Sequence, residues 1–269
     1  MEQLKQTLEQ LMEKAGGMWA LVVDDLDRQT QWAHNEEELF YAASVIKIPI
    51  MAAVFAAAAR GNLRLSDRVT LMREDIVGGA GVLQHMTPGI QLPIVDLLTL
   101  MIIQSDNTAT NVLIDAVGKP FIRETMRELG MSRSEFHHKL MIVPAKTKGY
   151  NVITAADMSC LLARLAHGKF LSRHACEQMI AILKKQQFRD CLPAHLPEHN
   201  PPYISVLPTW ELAHKTGWVT GIRHDVGIFY VGNRCMTVAL LSRDVDDFVA
   251  RQTMAAVGRH IYEYLRTYS

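Results

Sequence analysis

At 269 residues and 30.3 kDa, with 28 Lys and Arg against 28 Asp and Glu, the chain is long enough to bury one large core or two interleaved subdomains. About half of its residues are hydrophobic, 49%, which is ordinary for a globular protein and excludes a disordered or fibrous one. Charges of both signs are interspersed without a basic run, so no nucleic acid and no membrane surface is expected as a partner.

The first residues, Met1 to Gly16, read as an amphipathic helix with Leu4, Leu8, Leu11 and Met12 on one face. A secretory signal would need a basic start, a continuous apolar stretch and a small-residue cleavage site, and a spanning helix about 20 apolar residues. The chain as written is therefore expected to be cytoplasmic; if an export leader had been removed, it would be periplasmic or secreted. Trp19 to Val23 and Thr30 to Ala33 flank the turn-like Asp24 to Arg28 and predict an antiparallel hairpin.

From Ser44 to Arg60 almost every residue is apolar, which predicts one helix buried on nearly all sides, with Lys47 its only charge before Arg60 and Gly61 its stop. Further helices are expected over Pro93 to Gln104, Ala109 to Val117, Lys119 to Leu129, Thr154 to Ala166 and Ser172 to Lys185. Strands return at Trp210 to Lys215, Asp225 to Val231 and Met236 to Ser242, before a last helix from about Val245 to Tyr268. Strands at both ends imply one antiparallel sheet flanked by helices, an α/β (α+β) architecture with an all-helical insertion. The expected division is a single domain, with 1–43 and 205–269 forming the sheet part and 44–204 the mainly helical part.

Cys160, Cys176, Cys191 and Cys235 make no C-x-x-C pair and read as core or surface thiols. His137 and His138 are adjacent, and sequence neighbours rarely point at one ion, so no metal is expected.

Three short motifs carry chemistry. In Ser44-Val45-Ile46-Lys47 the spacing of three puts hydroxyl and amine on one helix face. A lysine buried in an apolar helix loses basicity and can take the proton of a serine that is otherwise a weak nucleophile. The plain structural alternative is an N-cap serine and a snorkelling lysine. Ser105-Asp106-Asn107 falls at a turn between helices, where side chains can reach a cleft or simply cap. Lys215-Thr216-Gly217 ends a strand, with Gly217 either allowing close approach of a substrate backbone or closing a turn.

Together, in this order and about 60 and about 110 residues apart, the three motifs make the chain similar to the class A β-lactamases and penicillin-binding proteins. The resemblance runs from the hairpin at Trp19 to the final helix, and Gly79-Ala80-Gly81-Val82-Leu83-Gln84 is similar to the loop that this family places beside its cleft. It implies an α/β sandwich with an inserted helical subdomain. It further implies that Ser44 is the nucleophile, Lys47 its base and Ser105 the proton shuttle to the leaving nitrogen. Asn107 would hold a substrate amide, Lys215 and Thr216 a carboxylate, and the backbone N–H groups of Ser44 and Trp218 an oxyanion. Arg223 is a candidate second carboxylate anchor, with a surface ion pair to Asp225 or Asp244 as its alternative.

One departure stands out. The β-lactamases carry a glutamate that activates the water for deacylation, in a loop that here falls near Phe136 to Ala156 and holds no Asp or Glu. Loss of a general base typically costs a factor of roughly 100 to 10,000 in the step it serves. Glu135, His137 and His138 are the candidates to replace it, with Asn151 and Asp157 nearby.

The expectation is thus a monomeric serine hydrolase acting on a small-molecule substrate, most simply a β-lactam, with no cofactor. The alternatives are a D-Ala-D-Ala-type peptidase, amidase or esterase of the same fold, and a non-catalytic protein that captures a ligand covalently.

Overall fold

The computed structural model describes residues 1–141, 149–198 and 208–267. In chain order, helix α1 (Glu2–Ala15) leads into β1 (Met18–Asp25), β2 (Thr30–His34) and β3 (Phe40–Tyr41). A short 3-10 turn, Ala43–Ile46, then enters α2 (Lys47–Ala59). Next come β4 (Arg68–Thr70), β5 (Gln91–Pro93), α3 (Ile94–Ile103), α4 (Asn107–Val117), α5 (Lys119–Glu128), β6 (Val152–Ile153), α6 (Ala155–Ala166) and α7 (Arg173–Leu183). The chain finishes with β7 (Trp210–Val219), β8 (Ile222–Val231), β9 (Arg234–Arg243) and α8 (Asp247–Thr267).

The main sheet runs β2-β1-β9-β8-β7 with every pairing antiparallel. β1 joins both segments of the sheet, meeting β2 on one side and β9 on the other. Its alternation follows the two-residue period of a strand: Leu21 and Val23 pack under α1 and α8, whereas Ala20 and Val22 face the helical core. The antiparallel α/β architecture read from the sequence is the one observed.

The helical side is organised by α2, eleven of whose thirteen residues are buried. Its run of alanines lets α4 and α5 pack closely against it. The stretch Ser44 to Arg60 is not one helix, however: its first turn is 3-10, and Ala43 enters it at φ 43. The helices expected from Thr154 and from Ser172 form, and these two residues are their N-caps, Thr154 accepting from Asp157 N and Ser172 from Ala175 N. The last helix is described only to Thr267, so Tyr268 lies outside the described residues.

β7 is longer than expected. It continues through Lys215-Thr216-Gly217 to Val219, because β8 pairs with it along the whole length from Trp210↔Val231 to Val219↔Ile222. This edge strand lies against the 3-10 turn that carries Ser44.

Candidate active site

Neither structural alternative for the first motif holds. The 3-10 turn and α2 have no side-chain cap, so the Ser44 hydroxyl is not used as one. Lys47 is fully buried, not snorkelling. Its Nζ stands 3.1 Å from Ser44 Oγ, 2.6 Å from the Ser105 carbonyl oxygen, 3.0 Å from Ser105 Oγ and 2.9 Å from Asn107 Oδ1.

Burial holds the Lys47 amine well below the usual lysine range; neighbouring Lys215 lowers it further, and Asp106 only partly offsets them. A neutral amine has two N–H groups and one lone pair. The Ser105 carbonyl and Asn107 Oδ1 can only accept, so in its neutral form Lys47 would give them its two N–H groups and keep a lone pair for a hydroxyl proton.

The second motif divides its labour. Asp106 is the N-cap of α4, accepting from Ala109 N at 2.9 Å, and its other oxygen accepts from Leu83 N at 2.8 Å. That frees Ser105 and Asn107 to face Lys47. Ser105 is held at φ 53, a left-handed conformation costly for a non-glycine residue, which brings both its carbonyl and its hydroxyl to the amine. Asn107 is buried, with Nδ2 donating to the Gly78 carbonyl at 3.2 Å, so both ends of its amide are engaged within the protein.

The loop containing Gly79 to Gln84 is bound to the same motif by Asn107 N, which donates to Ala80 O, and is braced internally by Gln84 Nε2, which donates to the carbonyls of Gly79 and Gly81. Gly81, at φ +108, abuts Asp106 so closely that no side chain would fit.

From β7, the fully buried Lys215 reaches Ser105 Oγ at 3.2 Å and donates to the Thr216 carbonyl at 2.8 Å. Burial pushes its amine down to about 7, against the pull of Asp225. The two amines thus meet at one hydroxyl. Behind the strand, Asp225 is buried and accepts from His214 Nδ1 at 2.8 Å and from Leu192 N at 3.0 Å.

Gly217 also packs closely against the turn that carries Ser44. A Cβ there would lie 3.2 Å from both Ser44 N and Val45 N and 3.3 Å from Ala43 Cβ, so the glycine eases the packing of the Ser44 turn on the strand.

Ser44, Ser105, Thr216, Trp218 and Arg223 line one cavity of about 270 Å³, whose remaining wall includes Ala80, Phe188 and Asp190. Arg223 pairs with neither Asp225 nor Asp244. Its Nε donates to Asp247 Oδ1 at 2.9 Å, with a second bond from Nη2, and Nη1 lies 3.8 Å from Asp190. Asp225 is taken by His214, and Asp247 at the start of α8 stands nearer. Phe188 and Asp190 carried no sequence signal, since they follow α7 in a segment without a motif.

The deacylation candidates do not join this cavity. Glu135 and His137 form a pair at 2.6 Å and line a separate cavity with Arg123 and Met126. Glu135 is fixed there by two backbone bonds to Val152. His138 turns its Nδ1 to the Lys139 carbonyl, and its backbone is clasped by the buried Asn151. Asp157 caps the turn at Ser132 to Ser134. Asn111, one turn beyond Asn107 on α4, holds Leu140 by both its N–H and its carbonyl. Residues 142–148 of the same loop lie outside the described residues. Among the described residues, no three His, Cys, Asp or Glu side chains come together as a metal would need. The four cysteines are free thiols, two of them buried.

Comparison with known proteins places the chain in a family and a fold. The beta-lactamase enzyme family matches residues 3–265. A beta-lactamase of Rhodobacter capsulatus is 32% identical over 119 residues, 44% of this chain and 40% of that protein. Beta-lactamase L2 of Stenotrophomonas maltophilia is 27% identical over 92% of this chain and 82% of its own length. Among solved structures, a beta-lactamase from Sphaerobacter thermophilus superposes with a TM-score of 0.88 at 30% identity, covering 98% of this chain and 97% of that one. PBP-A does so with a TM-score of 0.86 at 27% identity, covering 98% and 96%. With its sequence motifs, its fold and the Ser44–Lys47–Ser105 cluster all in keeping, the chain belongs to the beta-lactamase enzyme family.

Proposed function

We propose that this protein is a class A-like serine hydrolase that opens β-lactam rings through an ester at Ser44. The observation that carries the reading is the buried Lys47 amine, 3.1 Å from Ser44 Oγ and within hydrogen-bond distance of two pure acceptors, the Ser105 carbonyl and Asn107 Oδ1. As Ser44 Oγ bonds to the ring carbonyl carbon, its proton passes to Lys47 Nζ. The carbonyl oxygen becomes an oxyanion facing the backbone N–H groups of Ser44 and Trp218. When the C–N bond breaks, Ser105 gives its proton to the leaving nitrogen and is replenished from Lys47, 3.0 Å away. Lys215 and Thr216 receive the substrate carboxylate.

Release of the acyl group is the slow half of this cycle. Among the described residues, the carboxylate lining the Ser44 cavity, Asp190, is paired with Arg223 and Arg251, and Glu135 and His137 line another cavity. The same observation favours a second reading, a peptidase, amidase or esterase whose acyl group leaves more readily than a penicilloyl ester. A point mutant of PBP-A, 26% identical to this chain, was solved as an acyl-enzyme complex with penicillin G. A purely non-catalytic binder has no physical need for a proton path through Lys47 and Ser105.

Mass spectrometry after mixing with penicillin tests the reading. A penicilloyl adduct that persists in the wild type and is missing in Ser44→Ala is expected. Turnover surviving in Ser44→Ala would overturn it.

A further inference from the structure

The Arg223 side of the cavity carries more negative charge than a simple carboxylate site should. Asp190 lies in the wall of the Ser44 cavity, with Oδ2 3.8 Å from Arg223 Nη1 and 3.6 Å from Arg251 Nη1. Asp247 holds Arg223 more tightly, through Nε and Nη2, and pairs with Arg251 at 3.1 Å. Two arginines therefore face two carboxylates, and the guanidinium is already neutralised before any substrate arrives.

Asp190 is also set firmly in place. Upstream, the buried Gln186 side chain accepts from Gln187 N and Phe188 N and donates to the Ile102 carbonyl. Downstream, Leu192 N is tied to the buried Asp225. The neighbouring walls are flat and apolar. Trp218 is 59% exposed and Phe188 40%, and the guanidinium of Arg223 rests 5.4 Å from the Trp218 ring centre.

We propose that Asp190 is a specificity-determining residue that, with Asp247, cancels the charge of Arg223. The cavity then takes acyl donors with at most one carboxylate, held at Lys215 and Thr216, and with an uncharged flat group on the Arg223 side. The inference rests on the reading of Ser44 as the acylated nucleophile. Its physical basis is that a like charge beside a binding cation subtracts from the attraction felt by an incoming anion, most strongly at low salt.

The test uses the full chain and two esters of one phenylacetylglycyl acyl group, one releasing phenol and the other 3-hydroxybenzoate. The second-order acylation constant is measured for each by phenol release, with adduct mass at Ser44 as the check. The readout is the ratio of the carboxylate-bearing to the neutral ester. In Asp190→Asn this ratio is expected to rise about two- to fivefold, the upper range of a partly exposed charge pair, and to rise less at high salt. Asp247→Asn should move it the same way, and Asp190→Glu should bring it back toward wild type, which a purely structural role would not do. A ratio unchanged within about twofold in the Asn variants that acylate would overturn the proposal. If Asp190→Asn does not fold, Asp247→Asn decides alone. Failure of the wild type to form an adduct at Ser44 with either ester would instead remove the reading on which the inference stands.

Discussion

Lys47 Nζ and Ser44 Oγ lie 3.1 Å apart with the amine fully buried, and burial lowers the proton affinity of that amine, as the proposed role of a base requires. Arginine cannot lose its proton in a protein. Lys47→Arg should therefore reduce acylation as severely as Lys47→Met, by a factor of roughly 100 to 10,000, and raising the pH should not rescue it. Stopped-flow acylation with a chromogenic β-lactam at pH 7 and pH 10 measures this.

Lys215 brings a second, opposite pH dependence. With its amine down to about 7, the ammonium that attracts a carboxylate is lost as pH rises through that value. Binding of carboxylate-bearing donors should weaken about tenfold per pH unit well above it, while neutral donors escape this loss. The stability effect has the reverse sense. Between about 7 and the ordinary 10.5 the unfolded chain holds more protons at this residue than the folded one. Its contribution to stability therefore rises with pH across that window. KM profiles for a charged and a neutral donor, with urea midpoints taken at the same pH values, separate the two.

Gly217 should be intolerant of a side chain although it contributes none. In Gly217→Val the new Cβ meets the Ser44 and Val45 nitrogens at 3.2 Å, and overpacking of this kind typically costs about 1–3 kcal/mol. Displacement of the nucleophile should lower acylation more than stability. Comparing kcat/KM with the denaturation midpoint checks the inequality.

Asp106 should matter to stability beyond its charge effect on the Lys47 amine. Asp106→Ala removes the cap of α4 and the partner of Leu83 N together, a loss of about 1–3 kcal/mol. Asp106→Asn, which keeps an acceptor, should lose less. Chemical denaturation gives both values.

Glu135 and His137 supply a negative control for acyl release. Because they line a different cavity, Glu135→Gln and His137→Ala should leave the half-life of the penicilloyl adduct within about threefold of wild type, far from the loss expected of a general base. A roughly hundredfold lengthening, followed by mass spectrometry, would assign them the deacylation role that the geometry withholds.

Much of this protein was legible in its sequence, because the governing patterns are local. The β1–β2 hairpin, the nearly all-apolar α2 with its single lysine, and the caps at Thr154 and Ser172 follow from periodicity and turn chemistry over a few residues. The three motifs named Ser44, Lys47, Ser105 and Lys215 for the same reason. What the sequence could not decide is which partner each polar group takes among residues far along the chain. Asp106, not Ser105, became the cap because a left-handed Ser105 turns its own oxygens to Lys47. Arg223 went to Asp247 and not to Asp225, since the sheet buries Asp225 against His214 and Leu192 while the start of α8 comes within reach. Glu135 was drawn away from Ser44 by its bridge to Val152. Ionic and hydrogen-bonding partners are chosen by distance and burial, and only the tertiary structure sets those.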